Sequence, residues 1–359
     1  PPWRLHHSRL ARFRPIMNRL RRHGRTMLLA LLLLLGLATW LRSPVAPPIH
    51  PQELALAPLA LEPDCCTAGP LRLVGAWHLT SRNDLFGGYS ALVQITPGRM
   101  LALSDRGNFM DFALPDGASG PVRIGPVLRD QSKLKDQRDI ESATRDPLTG
   151  HLWIALEGRN AIARYSSGLD RQRFREVPEM KGWAQNTGPE AMVRLADGRF
   201  VVLCECNPGW FQGGLHPGLL FASDPSEPIA AQTFTFAGVD GYRPTDIAQL
   251  PDGRVLILVR RLVWPVPARF VIKVLIADPA AIRPGKTWQG QEIADISAPW
   301  PVDNYEGLAI GRQADGKLIG WIISDENGAA TQRALLLKVE IDAAKLPPKQ
   351  RAPGSPDAP

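Results

Sequence analysis

Apolar and polar positions along this chain fall into a unit that recurs. In its clearest copy a polar entry, Asp303-Asn304-Tyr305-Glu306, leads into the apolar run Gly307-Leu308-Ala309-Ile310. The turn Asp315-Gly316-Lys317 follows, and then a second apolar run from Leu318 that stops at Ser324-Asp325-Glu326-Asn327. Short apolar runs bounded by Gly-containing turns read as paired strands, so each unit predicts a β-hairpin.

Four further copies lie upstream. They open at Gly88-Tyr89-Ser90, Asp139-Ile140-Glu141, Gly188-Pro189-Glu190 and Pro244-Thr245-Asp246, and their second runs close at Asp105, Glu157, Glu205 and Arg260. Aligned on Ser90, Glu141, Glu190, Asp246 and Glu306, the copies are 51, 49, 56 and 60 residues apart. That is the length of a four-stranded propeller blade with generous loops. The predicted fold is therefore an all-β propeller of five or six four-stranded blades. The sixth would be a degenerate one, drawn from strand-rich intervals such as Phe109 to Val127 and Phe270 to Ile276. The runs Leu71 to Leu79 and Arg333 to Ile341 bracket the repeats and are predicted to share one blade and close the ring.

The ends of the chain differ from the repeats. Residues 1–26 are a basic tail, and 27–41 are fifteen uncharged residues, about 22 Å as a helix. This length suits the core of a signal sequence or, if uncleaved, a short transmembrane helix anchoring the chain, with the basic flank held inside. Residues 43–70 read as a Pro/Ala-rich linker, 71–342 as the propeller domain and 343–359 as a disordered tail. The expected location is the bacterial periplasm, with membrane contact only through 27–41.

Charge bears on partners only after the tail is set aside. The chain has 42 Lys and Arg against 35 Asp and Glu, but nine of the arginines lie in residues 1–42, which hold no acid. The remainder is near neutral, which argues against a nucleic-acid partner. With 32 Gly and 34 Pro the composition suits turns and strands.

The repeat also places chemistry. The first strand of a blade lines the central channel and the second runs back, so residues opening one and closing the other meet at one channel mouth. Glu141, Glu190, Asp246 and Glu306 would converge there with Asp105 and Asp325, and Arg106 and Arg260 would lie within reach. Like charges so close raise one another's pKa unless a cation or the arginines neutralise them. A hard ion with oxygen ligands, Ca²⁺ by preference, satisfies that requirement. Bonding of the same carboxylates to backbone N–H groups is the competing use. The Asp-Gly pairs at 197, 252 and 315 are hairpin-turn residues.

Together these segments resemble the phytase-like family described by its esterase-like activity, which is found in exported bacterial proteins. Gly88-Tyr89-Ser90-Ala91-Leu92, Leu103-Ser104-Asp105-Arg106-Gly107, Asp139-Ile140-Glu141-Ser142, Asn186-Thr187-Gly188-Pro189-Glu190-Ala191, Tyr242-Arg243-Pro244-Thr245-Asp246 and Asn304-Tyr305-Glu306-Gly307-Leu308 carry the resemblance. The family is similar to calcium-dependent propeller phytases. The resemblance implies a phosphoester or ester hydrolase with a metal-lined channel mouth, acting as a monomer on a small molecule. One departure is the lack of a Lys and Arg cluster large enough for a substrate as phosphorylated as phytate.

In the expected mechanism Glu141, Glu190, Asp246, Glu306, Asp105 and Asp325 hold one or two Ca²⁺ ions, and Arg106 and Arg260 stabilise developing negative charge. Two rivals remain, a non-catalytic binding propeller with a structural calcium ion and a lactonase-like metallohydrolase. Trp183 and Trp300 are expected either to rim the mouth as a ligand platform or to pack between blades. The pairs Cys65/Cys66 and Cys204/Cys206 lack zinc-site spacing and are read as structural or free thiols, with disulfides open in an exported chain. No Gly-x-Ser-x-Gly elbow or phosphate-cradling loop is present.

Overall fold

The computed structural model describes residues 23–35, 49–62, 65–117, 120–127, 138–184, 187–206, 214–263, 269–329 and 332–349. Each apolar run flanking a hairpin turn forms a strand, and the strands build five sheets. Blade 1 is Tyr89–Thr96, Arg99–Ser104, Asn108–Ala113 and Arg123–Pro126, and blade 2 is Ile140–Arg145, Leu152–Leu156, Ala161–Tyr165 and Arg171–Glu176. Blade 3 is Ala191–Arg194, Phe200–Leu203, Leu215–Phe221 and Ala231–Ala237, with Thr287–Gln289 added in parallel outside. Blade 4 is Arg243–Gln249, Val255–Val263, Arg269–Ala277 and Gln291–Ile296. Blade 5 is Tyr305–Arg312, Leu318–Ser324, Leu335–Ile341 and, from the amino-terminal side, Leu71–Thr80. Each first strand packs against the first strands of the neighbouring blades, and the ring closes between blades 5 and 1.

The segments set aside for a sixth blade are absorbed. Phe109 to Val127 supplies the outer strands of blade 1, and Phe270 to Ile276 the third strand of blade 4. Ring closure by Leu71–Thr80 is as anticipated. The stretch expected as a linker does more, because Ala55–Pro58 and Thr67–Ala68 both pair with Leu71–Thr80. Cys66, 2% exposed, packs with Leu71 and Leu73. Cys65 is bonded to Cys66 and Cys204 to Cys206. Of the carboxy-terminal tail, Leu346 packs onto the core, and 350–359 lie outside the described residues.

Strand alternation explains the core. In Arg99–Ser104, Met100 and Ala102 face blade 5 while Leu101 and Leu103 face blade 2. Strands buried on both faces need near-continuous apolar sequence, which is what the runs show. One hydrophobic cluster fills each of the five gaps between blades. Trp183 and Trp300 are 9% and 4% exposed and belong to two of these clusters, so they serve blade packing. At the hairpins Asp197, Asp252 and Asp315 each accept the amide two residues on, and the glycine between has positive φ.

Blades 5 and 1 approach closely at Gly307. A Cβ there would sit 2.7 Å from Ile323 Cγ2 and 2.9 Å from the Leu92 amide nitrogen. Gly307→Ala is therefore expected to destabilise the propeller by about 1–3 kcal/mol, read from denaturant unfolding. An unchanged midpoint would contradict this packing.

The expectation of a transmembrane helix is overturned. The described helix covers 23–35, about 20 Å at 1.5 Å per residue, against the ~30 Å of a bilayer core. Among the described residues no helix is long and apolar enough to cross a membrane. Residues 1–22 and 36–48 lie outside the described residues.

Candidate metal centre at the channel mouth

Backbone hydrogen bonds place strand openings and closings at the same end. The amides of Asp105, Glu157, Glu205 and Asp325 donate to the carbonyls of Gly88, Asp139, Gly188 and Asn304 at 2.8–3.0 Å. In blade 4 Arg260 pairs with Arg243 in the same position. One ring of the mouth is thus Asp105, Glu157, Glu205, Arg260 and Asp325, four acids and one arginine.

The first-strand ring is set by a β-bulge. Registers shift across Tyr89/Ala91, Ile140/Ser142, Pro244/Asp246 and Tyr305/Gly307, so Ser90, Glu141, Thr245 and Glu306 are the extra residues. A bulge re-aims one side chain, and here it does so at the same point of four blades. The equivalent of Glu141 in blade 4 is therefore Thr245, one residue before the expected Asp246. Ser90 and Thr245 use the position alike, donating to the carbonyls of Ile140 and Tyr305 at the entrance of the next blade. Asp246 points elsewhere: its carboxylate accepts the amides of Ile247 at 2.8 Å and Leu308 at 2.6 Å, joining blade 4 to blade 5.

Glu141, Glu190 and Glu306 come together at the mouth, but with different partners. Glu306 is served by Arg260 and by Asn304 Nδ2 at 2.7 Å. Arg260 also reaches Asn304 Oδ1 and, at 3.3 Å, Glu205 Oε1. Arg243 lies 3.8 Å from the other Glu205 oxygen. Arg106 sits 3.9 Å from Asp105 and 3.7 Å from Glu326, whose carboxylate accepts the Gly88 amide. Neither Arg260 nor Arg106 is without an acid.

On the opposite side three carboxylates converge. One oxygen each from Asp139, Glu141 and Glu157 lies within 4.8 Å of the other two, and all three residues are buried. Glu157 is anchored by the Gly188 amide at 2.8 Å. A Cβ on Gly188 would come within 2.6 Å of Glu157 Cγ, so only glycine permits that approach. Glu141, 9% exposed, receives no hydrogen bond or ion pair among the described residues. Burial, then Glu190, Glu157, Asp139 and Asp105, push it well above the usual carboxylate range.

The same causes act on the neighbours. Burial, Glu205 and Glu157 raise Glu190 strongly, and sharing a proton with Glu157 adds to the rise. Burial lifts Glu157 to about 7 against the Gly188 hydrogen bond. Burial, Asp105 and Glu326 lift Asp325 to about 8. A buried carboxylate with no donor is costly, and an all-oxygen buried set suits a hard divalent cation. The residues present therefore fit such an ion.

Asp139 and Glu157 were the site residues hardest to name from sequence, since they flank the position on which the repeats align. Pro189 and Pro244 carried the missed signal: matching these prolines pairs Glu190 with Thr245.

Among solved structures, similar chains include a streptogramin B lyase, at 10% identity over 80% of this chain and 98% of that one, TM-score 0.36. The nidogen/laminin complex matches at 9% identity over 80% and 98%, TM-score 0.40. The α-L-arabinofuranosidase PaAbf62A from Podospora anserina in complex with cellotriose matches at 10% identity over 71% and 94%, TM-score 0.40. No curated protein matches the chain. The family model "Phytase-like: Esterase-like activity of phytase" matches residues 84–328, from the loop before blade 1 to the end of blade 5's second strand. The chain belongs to the phytase-like family.

Proposed function

We propose that this chain is an exported hydrolase that cleaves a small phosphoester or carboxylic ester with the help of one divalent ion, Ca²⁺ by its donor chemistry. Family membership and the buried acidic triad support a hydrolase, and the unpartnered, buried Glu141 is the observation that carries the reading. Asp139, Glu141 and Glu157 would hold the ion. When bound, such an ion polarises a phosphoryl or carbonyl oxygen and acidifies water. Glu190, in contact with Glu157, takes the proton from the attacking water as general base once it has released its own proton to solvent. Arg106, with 39% side-chain exposure beside Asp105 and Glu326, is the cation that meets negative charge developing at the open side. Arg260 orients Glu306 and Glu205. The arginine-rich start and the apolar run after it support export.

Hydrolysis of p-nitrophenyl phosphate, phytate, p-nitrophenyl acetate and a simple lactone, with Ca²⁺ and with chelator, tests the reading. Chelator-sensitive turnover of an ester or phosphoester is expected. Turnover of the lactone alone would move the assignment to a lactonase. No turnover, with a chelator-dependent loss of thermal stability, would make the ion structural and the chain a binding propeller.

A pH dependence follows. Glu157 and Asp325 have folded-state values of about 7 and about 8, above the ~4 of an unfolded chain. The metal-free fold holds protons there that the unfolded chain has released, so its stability is greatest at low pH and falls as pH rises through that window. Ca²⁺ held by the triad competes with the Glu157 proton and stabilises most where it has gone. Thermal unfolding in chelator should show Tm falling from about pH 5 to about pH 8, and the Ca²⁺-induced gain in Tm widening over the same range. A gain that shrinks with rising pH would contradict it.

A further inference from the structure

Four of the five positions that close second strands at the mouth are acids, and the fifth is Arg260. In blade 2 the opening and closing pair is Asp139 and Glu157; in blade 4 it is Arg243 and Arg260. Two arginines opposed across a strand pair repel unless an acid stands between them, and Glu205 does so, 3.3 Å from Arg260 and 3.8 Å from Arg243.

Arg260 serves more than its own blade. Its guanidinium reaches Glu205 on blade 3 and both Glu306 and Asn304 on blade 5, while its Cζ lies over the Phe270 ring, 5.6 Å from the ring centre. Burial opposes its charge, yet Glu205, Glu190 and Asp325 hold the guanidinium more firmly protonated than a free arginine. From blade 4 it thus presents donors to oxygens on blades 3 and 5, as a hard cation would draw ligands from them. On the far side of the mouth the arrangement differs, because Asp139, Glu141 and Glu157 converge while Glu141 has neither donor nor cation among the described residues.

We infer that Arg260 is a resident counter-ion that fills a second cation position of the mouth, so that the propeller takes one divalent ion, confined to Asp139, Glu141 and Glu157. This rests on the metal reading proposed above and adds the stoichiometry and the residue that sets it. Arg260 is a positioning residue here: it keeps the Glu205 and Glu306 oxygens from acting as ligands. Removing its charge frees them, with Glu190 and Asp325 nearby, to bind a second ion.

The test is Ca²⁺ titration calorimetry of the chelator-stripped, dialysed full chain, with bound metal counted after desalting. Wild type is expected to bind one ion, Arg260→Lys one, and Arg260→Met two, the second lost when Glu306→Gln is added. Two ions in wild type, or one in a folded Arg260→Met, overturns the inference and leaves the hydrolase reading intact. No ion in wild type overturns both. Should Arg260→Met fail to fold, the wild-type and Arg260→Lys counts still decide, since two ions in either contradict a filled position.

Discussion

Replacing Glu141 with glutamine is expected to abolish turnover and yet make the metal-free propeller more stable. Glu141 is buried and faces Glu190, Glu157, Asp139 and Asp105 without a donor of its own, so in chelator its charge is opposed by both desolvation and repulsion. A glutamine of the same size removes the charge and brings an N–H₂ group that the surrounding carboxylates can accept. The metal-free protein should gain about 1 kcal/mol at pH 8, or roughly 2–4 °C in Tm for a chain of this size. Loss of one carboxylate ligand should weaken Ca²⁺ binding by about 10–100-fold or more and lower turnover at least as far. Thermal unfolding in chelator, beside Ca²⁺ titration and kinetics, reads both effects. Retained turnover with lowered stability would mean that Glu141 is a structural acid.

Asp246→Ala should do the reverse. Both Asp246 oxygens accept buried amides, those of Ile247 and Leu308, and the second bond ties blade 4 to blade 5. Alanine leaves two buried N–H groups unsatisfied, a loss of about 2–4 kcal/mol. Asparagine keeps one acceptor and should fall between. Because Asp246 faces the backbone, Ca²⁺ affinity of the folded variant should match wild type. A loss of Ca²⁺ binding with unchanged stability would return Asp246 to the ligand set. The pair of variants separates the two uses of a mouth carboxylate, holding an ion and holding the fold.

Much of this was readable from the chain. Short, near-continuous apolar runs separated by Gly-containing turns specify paired strands buried on both faces, and their recurrence specifies the ring. The meeting of strand openings and closings at one mouth follows from hairpin geometry, and the Glu157–Asp139 and Asp325–Asn304 backbone bonds realise it. The blade count did not follow from pattern alone. Outer strands such as Arg123–Pro126 are short and partly exposed, so they carry little apolar signal.

The site was only half legible, for a local reason. A bulge adds one residue without changing the apolar pattern, so sequence alone cannot distinguish Thr245 from Asp246 as the residue aimed at the channel. The sharing of Arg260 among three blades is likewise a matter of side-chain reach, which no spacing encodes. The Pro/Ala-rich stretch before Leu71 looked unstructured because strand edges such as Ala55–Pro58 tolerate proline where a central strand does not.

The most direct measurement is an anomalous difference map from crystals of the chain soaked with Mn²⁺, an oxygen-seeking stand-in for Ca²⁺. A single strong peak is expected within coordination distance of carboxylate oxygens from Asp139, Glu141 and Glu157, and none beside Arg260. A fully diffracting crystal with no peak at that triad, or with its strongest peak at Glu205 and Glu306, would contradict it.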